Sequence, residues 1–324
     1  MMRKLWIPLF ALSLFISACG GQPAEETGAA AAEGTGAEGA NTEGAALAAE
    51  ATDGGTITYQ SENGPVEVPA NPQRVVVLSS FAGNVMALGV DVVGADSWSK
   101  NNPRFAEGLK NAEEVSDESL EKIIELEPDL IIGLSNIKNV DKLSQIAPTV
   151  TYTYGKVDYL TQHLEIGKLL NKEAEAKAWV DDFKARAQHT GERIKAEIGA
   201  DATVSVIESY DKQLYVFGDN WGRGTEILYQ EMKLGMPEKV KEAALAAGWY
   251  ALSLEALPDF AGDYLIVSKY AQADNSFMET ETYRTIPAVQ NGRAFEVNAS
   301  EFYFNDPLTL EFQLAFFESK FLGE

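Results

Sequence analysis

A helical tract running broadly from Tyr159 to Ile198 divides this 324-residue chain into two stretches that use the same order of strand, loop and helix. The richest part of the tract, Lys172 to Ala187, is dominated by Ala, Glu and Lys, which are strong helix formers, and Ala178, Val180 and Phe183 fall near one face. Before the tract, Arg74–Leu78 is a continuous apolar run of strand length. It is followed by the loop Ser79–Gly83 and by a predicted helix over Asn84–Leu88, closed by Gly89. A strand over Val90–Ala95, a helix over Ser119–Leu126 and a strand over Asp129–Gly133 come next. Upstream, Thr56–Val68 alternates around Asn63-Gly64, a pair that favours a tight hairpin turn. Beyond the tract, strands are predicted at Thr203–Glu208 and Leu214–Phe217, and a helix at Thr225–Lys233. Strands alternating with helices imply a mostly parallel sheet. The expected fold is α/β: two pseudo-symmetric lobes with mostly parallel sheets, residues 54–171 and 199–324, joined by one long connecting helix over residues 172–198.

An internal echo runs across the tract. Ser119-Leu-Glu-Lys-Ile-Ile-Glu-Leu-Glu-Pro-Asp-Leu-Ile-Ile-Gly in the first half aligns without gaps on Ser253-Leu-Glu-Ala-Leu-Pro-Asp-Phe-Ala-Gly-Asp-Tyr-Leu-Ile-Val in the second. Both copies read as helix, breaker, Asp and buried strand. By itself the echo fits two copies of one unit and convergence on common α/β order equally well.

The N-terminus has its own grammar. Met1–Lys4 is basic, Leu5–Ile16 is apolar and too short for a membrane-spanning helix, and Ser17, Ala18 and Cys19 follow. Residues 1–18 read as a signal peptide, and Ile16-Ser17-Ala18-Cys19 fits the bacterial lipobox, in which the cysteine is acylated. Cys19 is the only cysteine, so no internal disulfide is available to it. From residue 19 to residue 53 the chain is Ala, Gly, Glu and Thr with little to bury, a composition suited to a flexible tether. The whole chain carries −23; Arg3 and Lys4 contribute +2 and the tether −7, leaving −18 on the globular part. Nucleic acid as a partner is excluded on that ground, because a basic patch would be needed.

Catalytic signatures are absent. There is no Gly-x-Ser-x-Gly elbow, no His-Glu-x-x-His and no paired Cys-x-x-Cys. His163 and His189 both fall in the polar helical tract, where solvated surface positions are expected. Two histidines on one tract cannot build a metal site from several loops, so neither a protein-held metal nor a cofactor is expected. The most distinctive stretch is Gly218-Asp-Asn-Trp-Gly-Arg-Gly-Thr225. As a phosphate cradle it lacks the Walker lysine; as a wall, Trp221 beside Arg223 offers a stacking surface next to a permanently charged planar donor. A turn with a packed Trp and a surface Arg is the plain alternative. Tyr152, Tyr154, Tyr215, Trp249, Tyr250 and Phe302-Tyr303-Phe304 could face the same cleft, and Trp98 has the same ambiguity.

These stretches together resemble the siderophore-binding proteins of ABC importers, the type III solute-binding proteins. The resemblance covers about Thr56 to Leu322 and is carried by Val66-Glu-Val-Pro-Ala-Asn-Pro-Gln-Arg-Val-Val-Val-Leu, the Ser-Leu-Glu units, Trp221-Gly-Arg-Gly-Thr-Glu-Ile-Leu-Tyr, Pro287-Ala-Val-Gln-Asn-Gly-Arg-Ala-Phe and Phe304-Asn-Asp-Pro-Leu-Thr-Leu-Glu. It implies a non-enzymatic, monomeric receptor anchored outside the cytoplasm through Cys19, with a preformed Fe(III)–siderophore chelate, of the hydroxamate type, held between the lobes. On the resemblance, Trp221 and Tyr215 stack on the chelate, Arg223 donates to its oxygens, and Tyr154, Tyr303 and Phe304 line the wall. Glu121 and Glu255 match the docking glutamates that meet an ABC permease dimer in the membrane. A tris-catecholate would want several bases, for which Lys100 and Arg104 are a thin supply. Haem or a corrinoid is the alternative cargo, and an extracytoplasmic enzyme acting on envelope polymers the alternative class.

Overall fold

The computed structural model describes residues 55–323; the signal segment, Cys19 and the whole of the tether lie outside the described residues. The first element is an antiparallel hairpin of β1 (Thr56–Ser61) and β2 (Gly64–Pro69). Ser61 pairs with Gly64, so the two-residue turn is Glu62-Asn63, one residue earlier than expected. Gly64 is the first paired residue and takes φ +111, which a side chain would resist.

The N-terminal lobe is a five-stranded sheet of β3 (Val75–Val77), β4 (Val92–Ala95), β5 (Glu113–Glu114), β6 (Leu130–Leu134) and β7 (Thr149–Tyr152), in the order β5-β4-β3-β6-β7. Every pairing is parallel. Its central strand is Val-Val-Val with all three residues buried, as a strand covered on both faces must be. The C-terminal lobe contains β8 (Val204–Tyr210), β9 (Gln213–Phe217), β10 (Trp249–Leu252), β11 (Tyr264–Lys269) and β12 (Ala294–Asn298), ordered β10-β9-β8-β11-β12. Here β8, β11 and β12 are parallel, whereas β9 runs antiparallel to both β8 and β10. The cause is local: Asp211 and Lys212 both take left-handed φ, 46° and 64°, and form the two-residue turn whose twist suits a hairpin.

The helical tract is two helices, Tyr159–Leu169 and Glu173–Ile198, separated at Asn171, whose φ is +56. The second has 26 residues, about 39 Å at 1.5 Å per residue, and is the connector. It buries Ala176, Val180, Phe183, Ala187, Gly191 and Ile194 along one stripe. On the first helix, Leu160, His163, Ile166 and Gly167 share a buried stripe at helical spacing. His163 is therefore not on the surface as expected: it is 1% exposed, with Nδ1 3.1 Å from Asn84 Oδ1 and its ring edge-on to Trp179 of the connector. His189 is exposed.

The chain end ties the lobes together. Helix Pro307–Leu322 packs on the connector and on the N-lobe helix Ala82–Ala87. Asp306 caps it, accepting from the N–H groups of Leu308 and Thr309 at 3.0 and 3.2 Å and from Thr309 Oγ1 at 2.7 Å. A Cβ on Gly83 would lie 2.0 Å from Asp306 Oδ1, so the two lobes touch backbone to carboxylate. Just upstream, Phe304 enters the core of the N-terminal lobe and stacks on Phe105 at 5.5 Å.

Candidate functional site

In open α/β sheets, ligand sites collect beyond the carboxyl ends of the strands. Trp98 follows β4, Tyr154 follows β7, Glu208 lies near the end of β8 and Tyr270 follows β11. Both lobes thus present aromatic or charged side chains at their strand ends.

The loop Trp221–Gly224 organises the C-terminal side. Gly222, Arg223 and Gly224 take φ of 67°, 57° and 84°, three consecutive left-handed residues. The glycines are needed on steric grounds as well: a Cβ at Gly222 would sit 2.2 Å from the Tyr303 carbonyl oxygen, and one at Gly224 would sit 2.7 Å from the Phe317 ring. Arg223 has no such exemption and holds a strained backbone, fixed by its N–H donating to the Phe302 carbonyl at 2.7 Å. Glu226 Oε1 accepts from the Gly222 N–H at 2.9 Å and from Asn305 Nδ2 at 3.0 Å. Burial pushes the Glu226 carboxyl upward, and those bonds resist the shift. The predicted helix at Thr225–Lys233 is a π-helical segment, Glu226–Glu231, a form that favours functional sites.

This winding places the Arg223 guanidinium in a slot. Its carbon lies 4.7 Å from the Phe217 ring centre and 4.6 Å from that of Tyr303. Nε and Nη2 donate to the two oxygens of Glu208 at 3.2 and 2.8 Å, and Nη1 donates to the Trp221 carbonyl at 3.0 Å. Ser268 Oγ adds a 2.6 Å bond to Glu208 Oε2. Arg223 is only 8% exposed. Burial alone would lower its pKa, but the charge and hydrogen bonds of Glu208 outweigh that and raise it.

Around the slot runs a continuous aromatic face. Tyr210 meets Tyr270 edge-on at 6.0 Å, Tyr270 meets Trp98 at 6.3 Å, and Trp98 stacks on Tyr303 at 4.9 Å. Trp221, whose carbonyl accepts from Arg223, meets Tyr154 edge-on at 5.8 Å. Trp98, Tyr154 and Tyr210 are exposed, and a contiguous exposed aromatic patch is the mark of a binding surface. Tyr215 pairs across the hairpin with Glu208 and leans on Trp249.

Of the six wall residues expected from sequence, the structure gathers Tyr154, Trp221, Arg223 and Tyr303 into one patch and sets Tyr215 beside it. Phe304 is the exception. It is 5% exposed and anchors the N-terminal core, stacked on Phe105 and edge-on to Tyr303 at 5.0 Å, so its ring is covered where that of Tyr303 is not. Glu208, Phe217, Tyr210 and Tyr270 escaped the sequence reading. The signal for Glu208 was a carboxylate closing a buried strand, lost among the chain's 49 acidic residues. Lys100 and Arg104 are already engaged: Lys100 Nζ donates to the Leu109 and Ala112 carbonyls at 2.8 and 2.7 Å, while Arg104 pairs with Glu301 at 2.8 Å and lies over Phe312.

The aromatic face adjoins an interlobe cavity of about 770 Å³ along the connector, of mixed polar and apolar lining that includes Phe81, Tyr154, Gln162, Lys184, Asn220 and Glu226. Tyr154 belongs to both. Glu121 and Glu255 stand elsewhere, exposed in the first turns of the short helices Leu120–Glu125 and Leu254–Ala256. Those helices lead into β6 and β11, the fourth strands of their respective sheets. Among the described residues, no three or more His, Cys, Asp or Glu group as a metal site would require, and no helix is long and apolar enough to cross a membrane.

Known proteins share this layout. The chain is 35% identical over 323 residues to the iron(3+)-hydroxamate-binding protein FhuD of Bacillus subtilis, covering 97% of this chain and 96% of that one. The FhuD protein from S. pseudintermedius superimposes with a TM-score of 0.75 at 34% identity, over 83% of this chain and 99% of its own. FhuD2 from Staphylococcus aureus with bound ferrioxamine B gives 0.74 at 33% identity, over 78% and 99%. A family model for periplasmic binding proteins matches residues 75–300, and with two lobes meeting at an aromatic face this chain belongs to the periplasmic binding protein family.

Proposed function

We propose that this protein is an extracytoplasmic receptor that takes up a preformed ferric hydroxamate chelate between its lobes and delivers it to an ABC permease. The observation that carries the reading is the aromatic face contributed by both lobes around the sandwiched Arg223 guanidinium. A siderophore already fills the coordination sphere of iron with oxygens, so the protein must grip an organic shell, and aromatic rings beside a planar donor suit that task. Iron enters as cargo and needs no protein ligand. Two relatives named as iron(3+)-hydroxamate-binding proteins match nearly the whole chain. Cys19 would carry a lipid anchor, the tether would hold the monomeric receptor near the membrane, and Glu121 and Glu255 would meet the two halves of the permease. The protein acts as a binder and not a catalyst.

Quenching of intrinsic fluorescence by ferric hydroxamates, ferric catecholates, haem and cobalamin tests the cargo. Hydroxamates are expected to quench at the lowest concentration; a response confined to haem or cobalamin would refute the reading. Trp221→Ala is expected to weaken hydroxamate binding roughly tenfold or more, as for a central aromatic anchor.

A further inference from the structure

We propose that Glu208 fixes the charge class of the cargo: by neutralising Arg223 from within, it makes the site accept ferric chelates of zero or positive net charge and reject anionic ones. This rests on the reading that the chelate seats on the aromatic face around Arg223. A guanidinium carries five N–H donors. In this site Nε, one Nη2 hydrogen and one Nη1 hydrogen are already committed, two to Glu208 and one to the Trp221 carbonyl. Two donors remain. They suffice to orient oxygen acceptors on a chelate, yet the ion pair that presents them has no net charge.

Neighbouring groups do not restore a positive field: in the adjoining cavity Lys156, Lys184 and Lys233 are outnumbered by Asp158, Asp219, Glu226 and Glu231. Arg104 is paired with Glu301, and Lys100 is folded back onto two carbonyls. Glu226 lies buried behind the loop, and Asp96 caps the short helix that carries Trp98. Glu208 is 1% exposed and receives Ser268 Oγ at 2.6 Å, so no cargo group touches it directly. Its influence is electrostatic and positional. A hydroxamate shell offers weakly charged oxygens to two donors and stacks on rings. A tris-catecholate of charge −3 would bring three negative charges to a site of zero or negative charge. At about 8 Å and an effective dielectric constant near 20, one charge pair changes affinity on the order of thirtyfold.

The experiment compares dissociation constants of the full-length protein for three probes: a neutral ferric tris-hydroxamate, a ferric tris-hydroxamate with a pendant ammonium, and a ferric tris-catecholate. In Glu208→Gln, which keeps the shape and an acceptor for Arg223, the ratio of catecholate to neutral hydroxamate affinity is expected to rise at least tenfold. Glu208→Asp keeps the charge and is expected to keep the wild-type ratio. Equal ratios in all three proteins, or equal shifts in Gln and Asp variants, would overturn the proposal while leaving hydroxamate binding intact. Should Glu208→Gln fail to fold, the wild-type protein decides by salt: catecholate binding that tightens as salt is lowered reveals a net positive site and defeats the inference, whereas weak binding that does not tighten supports it. Loss of every chelate by the wild-type protein would remove the underlying reading as well.

Discussion

His163 and Asp306 pack on consecutive residues of one six-residue helix: His163 against Asn84 and Asp306 against Gly83. Both are buried, and burial drives their pKa values in opposite directions. It lowers His163 from 6.5 to about 4 and raises Asp306 from 3.8 to about 6, the latter against its capping hydrogen bonds. For His163 the folded value is depressed, so its contribution is whole above pH 6.5 and is lost as pH falls toward 4. For Asp306 the folded value is elevated, so its contribution is whole below pH 3.8 and is lost as pH rises through 6. Each slope amounts to about 3 kcal/mol. The two nearly cancel in the wild-type protein. Urea unfolding between pH 4 and 7 is expected to separate them: relative to wild type, His163→Gln gains stability as pH falls, and Asp306→Asn, which can still cap, gains stability as pH rises. A variant-to-wild-type difference that stays flat with pH would show the residue does not titrate in that window. Neither position was legible as a buried group. His163 is flanked in sequence by Thr161, Gln162 and Glu165, and only the helical phase, known once the helix boundaries are known, puts it on the apolar stripe. The Trp221–Gly224 loop was legible because alternating glycines around an arginine signal a backbone that ordinary residues avoid. Its partner Glu208 was not, since ion pairing across 15 residues leaves no local pattern.

At the scale of elements, the connector helix owes its position to a glycine. A Cβ on Gly191 would lie 2.3 Å from the Met232 carbonyl oxygen and 2.4 Å from its Cα, so backbone meets backbone where the connector crosses the end of the π-helical segment. Gly191→Ala should favour the isolated helix by about 1 kcal/mol. Overpacking against a rigid backbone costs roughly 1–3 kcal/mol, so net destabilisation is expected, visible as a lower urea midpoint. An unchanged or raised midpoint would mean that the contact yields. Because Glu226 braces the Trp221–Gly224 loop, chelate affinity should fall in the same variant. Sequence periodicity located most strands and the connector. It set the connector's start at residue 172, one residue after the left-handed Asn171 at which the structure divides the tract. The π-helical winding stayed hidden, since one extra residue per turn depends on tertiary packing and not on composition.

The whole molecule gives the sequence echo a spatial counterpart. Each Ser-Leu-Glu unit forms a short helix that feeds the fourth strand of a five-stranded sheet, β6 in one lobe and β11 in the other. Glu121 and Glu255 therefore occupy equivalent places in the two lobes, both exposed. The equivalence is one of topology and not of full symmetry, since β9 and β10 are antiparallel where the first lobe is wholly parallel. The lobes are also fastened together. Phe304 is lodged in the N-terminal core and Asp306 against Gly83, and both belong to the chain that completes the C-terminal lobe. Large closure would have to withdraw a buried phenyl ring, at a cost of about 3 kcal/mol or more. A receptor so fastened would present two carboxylates at a nearly fixed separation whether loaded or empty, which suits a partner built of two equivalent halves. The double variant Glu121→Ala, Glu255→Ala is expected to bind ferric hydroxamate with unchanged affinity while uptake of radiolabelled iron by cells falls severalfold, and each single variant to fall between. Reversing both charges to Lys should abolish uptake with binding still intact, because a partner surface complementary to two carboxylates would then repel the receptor. Normal uptake by the double variant would place docking on another surface, and lost chelate binding would mean that the glutamates support the fold and not the handover.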